Sequence, residues 1–288
     1  METADLLKKV RKIEIKTRGL SNNIFAGEYH TAFKGRGMAF SEVREYQYGD
    51  SIRDIDWNVT ARFNRPFIKI FEEERELTVM LVIDVSGSRE FGTTTRTKKD
   101  LITEIAAVIS FSAIQNNDKI GVILFSDKIE MIIPPGKGKK HILRIIRDLL
   151  GFEPKNTGTN ISEALRHLTN LIKKRCTAFV ISDFIDNKPF SDALSIANKK
   201  HDIIALHVFD KREQELPSMG LLRVKDAETG AEMWIDSSSS AVRGTYARKS
   251  KEAMEKLNAT FKRSGVDVAK LPTDGDYIVP LMNLFKCR

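Results

Sequence analysis

The chain has 288 residues, of which 41% are hydrophobic and 30% charged, enough apolar material for a sizeable core. No stretch approaches the roughly 20 consecutive apolar residues of a membrane-spanning helix, and the start, Met1-Glu2-Thr3-Ala4-Asp5-Leu6-Leu7-Lys8-Lys9, lacks the charged-then-apolar order of a secretory signal. The net charge of +8 is spread over small clusters without interleaved aromatics, which argues against specific nucleic-acid recognition.

In chain order, residues 3 to 12 read as a short amphipathic helix with Leu6, Leu7, Val10 and Ile13 on one side. Residues 19 to 65 hold glycines, aromatics and charges without clear periodicity. Arg65 to Phe71 alternates like a half-buried strand, and the acidic run Glu72 to Glu76 separates it from Leu77-Thr78-Val79-Met80-Leu81-Val82-Ile83. That unbroken apolar run predicts a strand covered on both faces, as in a parallel sheet between helix layers. A helix follows at 97 to 115, then the strand Ile120 to Phe125 and a short neighbour, Ile129 to Ile133. Helices near 138 to 150 and 161 to 173 lead to the strand Ala178 to Ser182. A helix near 190 to 199 precedes the strand Ile203 to Phe209. The tail predicts a hairpin (Leu221 to Lys225, Glu232 to Ile235), a polar helix near 239 to 264 and a last strand, Val266 to Leu271. Strand–helix alternation at this spacing predicts an α/β fold, a doubly wound and mostly parallel sheet. The organisation expected is an N-terminal annex over residues 1–76 and an α/β domain over 77–288. Cys176, at the mouth of an apolar strand, and the penultimate Cys287 are the only cysteines, too few for a disulfide framework. The expectation is a cytoplasmic soluble protein.

Ligands of open parallel sheets bind outside the carboxyl ends of the strands. Asp84, Ser86 and Ser88 lie just past one such end, Asp183 lies past another, and Thr159 occupies a loop that opens a helix. Together they offer three hydroxyl and two carboxylate oxygens, the donor type of a hard cation, Mg²⁺ first, with Mn²⁺ or Ca²⁺ as alternatives. Each segment also has an ordinary explanation. Ser86 and Ser88 are turn formers, Asp84 and Asp183 are capping acceptors, and Asn160 with Glu163 makes a capping-box start.

The pattern Asp84-x-Ser86-x-Ser88, then Thr159 ahead of Ala164-Leu165, then Asp183 after Val180-Ile181-Ser182, resembles the metal-ion-dependent adhesion site of von Willebrand factor A domains, over roughly residues 77 to 271. Upstream, Arg44-Glu45-Tyr46, Gly49-Asp50, Arg53, Asp56-Trp57 and Thr60-Ala61-Arg62, followed by Phe71-Glu72-x-Glu74, are similar to the bacterial domain-of-unknown-function family numbered fifty-eight. Members of that family carry such a segment ahead of a von Willebrand A-like domain and are typically encoded beside MoxR-type AAA+ ATPases. The resemblance implies a protein-interaction module, with such an ATPase as partner, acting as an adaptor in maturation or assembly of a client. The chemistry of the site adds that an incoming protein would offer an Asp or Glu. Arg89 departs from the pattern, where many relatives carry a small or thioether residue. The alternating Arg44, Glu45, Asp50, Arg53, Asp56 and Arg62 suggest a paired network buried under Tyr46 and Trp57.

Catalytic motifs fail on spacing. Gly136-Lys137-Gly138-Lys139-Lys140 lacks the phosphate-loop order, Gly35-Arg36-Gly37 lacks the third glycine of a dinucleotide fingerprint, and the five histidines are scattered. The chain therefore reads as non-enzymatic. The competing readings are a metal-free scaffold that binds anionic partners and a metal-dependent phosphoesterase with Asp84 as nucleophile.

Overall fold

The computed structural model describes residue 13 and residues 39–72, 77–92, 96–226 and 230–288. The helix expected at 3 to 12 lies outside them. Two compact units are formed, one within residues 33–77 and the other within 78–288.

In the smaller unit, β1 (Ala39–Glu45) pairs antiparallel with β2 (Phe67–Glu72), with a register shift between Phe40 and Glu42. Between them lies the short helix α1 (Trp57–Phe63). Asp56 caps its start by accepting from the Asn58 and Val59 amides, and Asn64 ends it in the left-handed region at φ 51°. Arg44 grips Asp50 through two hydrogen bonds of 2.8 Å, while Arg65 pairs with Glu45 and Lys69 with Asp56. The network expected to be buried is mostly a surface one. Trp57 is 67% exposed, and Arg53 and Arg62 make no ion pair among the described residues. The alternation of charges marked local pairing, but sequence alone could not separate pairs at a surface from pairs in a core.

The larger unit is a six-stranded sheet in the order β10-β7-β6-β3-β4-β5. Its strands are β3 (Thr78–Asp84), β4 (Lys119–Phe125), β5 (Ile129–Gly136), β6 (Thr177–Ser182), β7 (Asp202–Phe209) and β10 (Asp267–Pro272). All pairings are parallel except that of β5 with β4. The apolar runs become the central strands because both sheet faces are covered: every residue of β6 is buried, as are the last six of β3 and of β4.

The side chains sort by the two-residue period of a strand. Met80, Val82, Ala178, Val180, Ile203 and Ala205 join a core with α4 (Ile161–Leu171), α5 (Ser191–Lys200) and Phe261 of α6 (Ser240–Ser264). On the other side α2 (Lys98–Gln115) packs against β3, β4 and β7, with α3 (Lys139–Gly151) beside it. The last helix, α7 (Ile278–Lys286), sets Phe285 edge-on to Phe179 of β6 at 6.1 Å between ring centroids. Sequence reading did not anticipate this helix. It is short and carries Pro280, which the first helical turn tolerates because its amides have no helical partner. The hairpin of β8 (Leu221–Lys225) and β9 (Glu232–Asp236) forms as expected. Gly136-Lys137-Gly138 closes β5 and opens α3, with Gly138 at φ 91° as its N-cap, which makes this glycine pair a turn.

Two outcomes follow from the packing. A side chain at Gly121 of β4 would meet the Met80 sulfur at 2.8 Å and the Pro135 nitrogen at 2.9 Å, the latter backbone. Gly121→Ala should therefore cost about 1–3 kcal/mol in a denaturation experiment. Cys176 is buried, its thiol pushed by that burial up to about 12, while Cys287 is exposed. A disulfide reagent should titrate one thiol in the native protein and two after denaturation.

Candidate functional site at the carboxyl edge of β3 and β6

The strand order places a reversal between β3 and β6. From β3 the chain crosses through α2 to β4 on one side, and from β6 through α5 to β7 on the other. Loops leaving in opposite directions open a crevice at the carboxyl ends of the two strands, where open α/β sheets bind ligands.

Asp84 is the last residue of β3, and Ser182 the last of β6, one step beyond the final paired residues Ile83 and Ile181. The Ser182 hydroxyl donates to Asp84 Oδ2 at 2.6 Å, and the Ser86 amide donates to Oδ1 at 2.9 Å. After Asp84 the chain makes a turn of 3₁₀ helix (Gly87–Glu90), which brings the hydroxyls of Ser86 and Ser88 to 3.1 Å of each other. The loop ahead of α4 is fastened to the same edge at two points. The Gly87 amide donates to the Thr157 carbonyl at 2.9 Å, and the Asn160 amide donates to the Ser126 carbonyl at 2.9 Å. Thr159 sits between those fastenings, 6% exposed, and its Oγ1 is buried without a hydrogen-bond partner among the described residues. Asn160 also caps α4, its side chain accepting from the Glu163 amide at 3.1 Å, so the ordinary explanation of that loop holds as well.

Asp183 follows β6 directly and is 6% exposed. Its Oδ1 accepts from the Ile185 amide at 3.2 Å in a local turn. Phe184 adopts φ 55°, rare for a bulky side chain, which turns the backbone sharply after Asp183 and lets the Phe184 ring meet Phe261 edge-on at 5.0 Å. The five residues singled out in the sequence therefore lie along one sheet edge: Asp84, Ser86 and Ser88 in one loop, Thr159 in the loop tied to it, and Asp183 on the neighbouring strand end.

Sequence reading missed the cation of this edge. Lys98, the first residue of α2, is 1% exposed, and its ammonium lies 2.8 Å from Asp183 Oδ2 and also donates to Glu213. Burial opposes its charge, yet Asp183 and Glu213 outweigh that and hold the ammonium above its usual range. A readable signal existed. A lysine in the first helical turn opposes the helix dipole, which favours anions there, so a compensating carboxylate was to be sought. Arg89, the departure noted beside the motif, is buried but engaged elsewhere. Its guanidinium donates to the Phe152 carbonyl and stands 5.9 Å from the centroid of that ring.

The electrostatics are those of a carboxylate pair only partly neutralised. Burial, reinforced by the charge of Asp183, pushes the Asp84 carboxyl up to about 7, against the hydrogen bonds from Ser182 and Ser86. His207 of β7 is a core histidine. Burial, with Lys98 and Lys270 adding to it and Asp183 opposing, lowers it to about 4, and its ring contacts Phe184 and Phe209. Among the described residues no group of three or more His, Cys, Asp or Glu forms a metal cage, so a cation here would depend on hydroxyl ligands. Beside Asp183 opens a cleft of about 590 Å³ whose walls include Phe184, Ile185, Phe190, Met254 and Leu257.

The chain is similar to several known proteins. An uncharacterized protein of Mycobacterium tuberculosis (strain H37Rv) is 28% identical over 283 residues, covering 97% of this chain and 88% of its own length. The uncharacterized protein YeaD of Bacillus subtilis is 28% identical over 109 residues, 38% of this chain and 25% of its own length. Among solved structures, the conserved hypothetical protein BatB from Bacteroides thetaiotaomicron is similar at a TM-score of 0.48 and 16% identity, over 73% of this chain and 97% of its own. Residues 42–256, most of the chain, match one family throughout, and the chain belongs to the family described as Protein of unknown function DUF58.

Proposed function

We propose that this chain is a non-catalytic, metal-dependent protein-interaction module of the von Willebrand A type, which captures an Asp or Glu of a partner at the β3–β6 edge. The observation that carries the reading is the Thr159 hydroxyl, buried and unsatisfied among the described residues, in the loop tied through the Thr157 carbonyl to the turn that bears Ser86 and Ser88. A buried polar group without a partner costs about 1–3 kcal/mol, so its retention at a strand-end crevice asks for a ligand.

The residues present fit a hard divalent cation. Ser86, Ser88 and Thr159 offer neutral oxygens, and Asp84 offers a charge already oriented by the Ser86 amide and the Ser182 hydroxyl. Such a cation, Mg²⁺ in the first instance, would supply a positive centre with a place left for an outside carboxylate. With Asp183 already engaged by Lys98, three neutral hydroxyls stand with one carboxylate, Asp84, that is outside an ion pair among the described residues. That balance favours an acidic partner. The phosphoesterase alternative finds less support, since both Asp84 oxygens accept hydrogen bonds, which blunts them as nucleophiles. A purely polyanion-binding scaffold would leave the buried hydroxyl unexplained.

The resemblance supplies the partner: a MoxR-type AAA+ ATPase, with this chain as adaptor for a client protein. No helix of the described residues is long and apolar enough to cross a membrane.

Two measurements test this. Affinity for the ATPase should fall at least tenfold on adding chelator, and Asp84→Ala should remove the Mg²⁺ dependence. Equal affinity in all conditions would sink the metal bridge. Thr159→Val replaces the orphaned hydroxyl by a methyl of the same shape. In metal-free protein it should leave stability unchanged or raise it by about 1 kcal/mol, while weakening Mg²⁺ binding.

A further inference from the structure

Resting on the metal-site reading above, we propose that Lys98 is the positioning residue that sets the charge of this site, withholding Asp183 from a bound divalent cation so that the cation is held loosely and keeps surplus charge for an outside carboxylate.

The geometry behind it is specific. Lys98 is among the largest fully buried side chains of the protein and reaches from the start of α2 to the end of β6. Nothing in the helix requires a lysine there. Thr97 and Asp100 already cap α2 with a reciprocal pair of hydrogen bonds, and the dipole disfavours a cation in the first turn. The ammonium meets two carboxylates, Asp183 at 2.8 Å and Glu213, which arrives from the turn after β7. Of the two, Asp183 belongs to the hydroxyl-bearing edge and Glu213 does not. Lys98 is thus shared between an acid of the site and an acid outside it.

Consider the charges with Lys98 in place. A divalent cation among Ser86, Ser88, Thr159 and Asp84 faces one free carboxylate, because the second is neutralised by its own ion pair. Without Lys98 the same cation faces two carboxylates at close range in a poorly solvated crevice, where Coulomb interactions are strong. The lysine therefore trades metal affinity for affinity toward an acidic ligand. A lysine that served structure alone would have the opposite signature, since its loss would disorder the edge and weaken metal binding.

The probe is Mn²⁺, titrated into the full chain and followed by the paramagnetic resonance signal of the free ion. Lys98→Met should bind Mn²⁺ at least tenfold more tightly than the unaltered protein, Lys98→Arg should match it, and Asp84→Ala should bind weakly or not at all. Should K98M not fold, the double variant K98M/E213Q, which strands one carboxylate fewer, is expected to show the same gain. Equal or weaker Mn²⁺ binding in the folded lysine variant overturns the inference. Binding that is lost in D84A yet indifferent to Lys98 sinks the inference and spares the metal site. No Mn²⁺ binding by any variant sinks both.

Discussion

Two buried carboxylates, Asp84 at the end of β3 and Asp183 directly after β6, stand at the carboxyl edge of adjacent parallel strands, and the loops around them must keep them there. The placement is topological. Once β3 and β6 are neighbours whose following segments depart to opposite sides, the residues after each strand are left facing a crevice rather than a continuing layer. Charge in that position is costly unless compensated. Compensation arrives from three directions: the Ser182 hydroxyl across the strand pair, the Ser86 amide along the loop, and the Lys98 ammonium from the far face of the sheet through α2. It is incomplete, as the upward displacement of the Asp84 carboxyl records.

Three departures from ordinary packing lie at this edge. Phe184 takes a left-handed backbone, Thr159 Oγ1 is buried unsatisfied, and a lysine opens a helix against its dipole. The strands beneath them are regular, with largely apolar runs at β3, β4, β6 and β7 buried on both faces. Natural sequences tend to break local rules where function is housed and to pay for the breach with a consistent core elsewhere.

The same division explains what was legible in the sequence. Strands announced themselves because a residue buried on two faces has few chemical options, and Met80 to Ile83 or Phe179 to Ile181 use them. The site loops were legible because Asp84, Ser86 and Ser88 crowd polar groups against the end of such a run. Ser182 and Glu213 were not, since each is ordinary in its own segment and acquires meaning only from a partner 98 or more residues away, while Lys98 showed only a charge set against its helix dipole and nothing local to name Asp183, 85 residues on. The smaller unit shows the converse limit. Alternating signs along 44 to 62 correctly pointed to pairs such as Arg44 with Asp50, yet no periodicity fixed which face would be covered, and Trp57 stands in solvent.

On the proposed reading, capture of a carboxylate and specificity for its bearer reside in different places. A hydroxyl-rich edge recognises an acidic group and little else, because one carboxylate resembles another. The apolar cleft beside Asp183, walled by Phe184, Ile185, Phe190, Met254 and Leu257, offers what the edge lacks, a surface that rewards shape and apolar area near the captured group. The two are joined by residues rather than by distance, for Asp183 and Glu213 border the cleft while both hold Lys98. A partner that filled the cleft would press on the same ion pairs that set the charge of the edge. Recognition of the bearer and grip on its carboxylate would then be coupled through a single lysine.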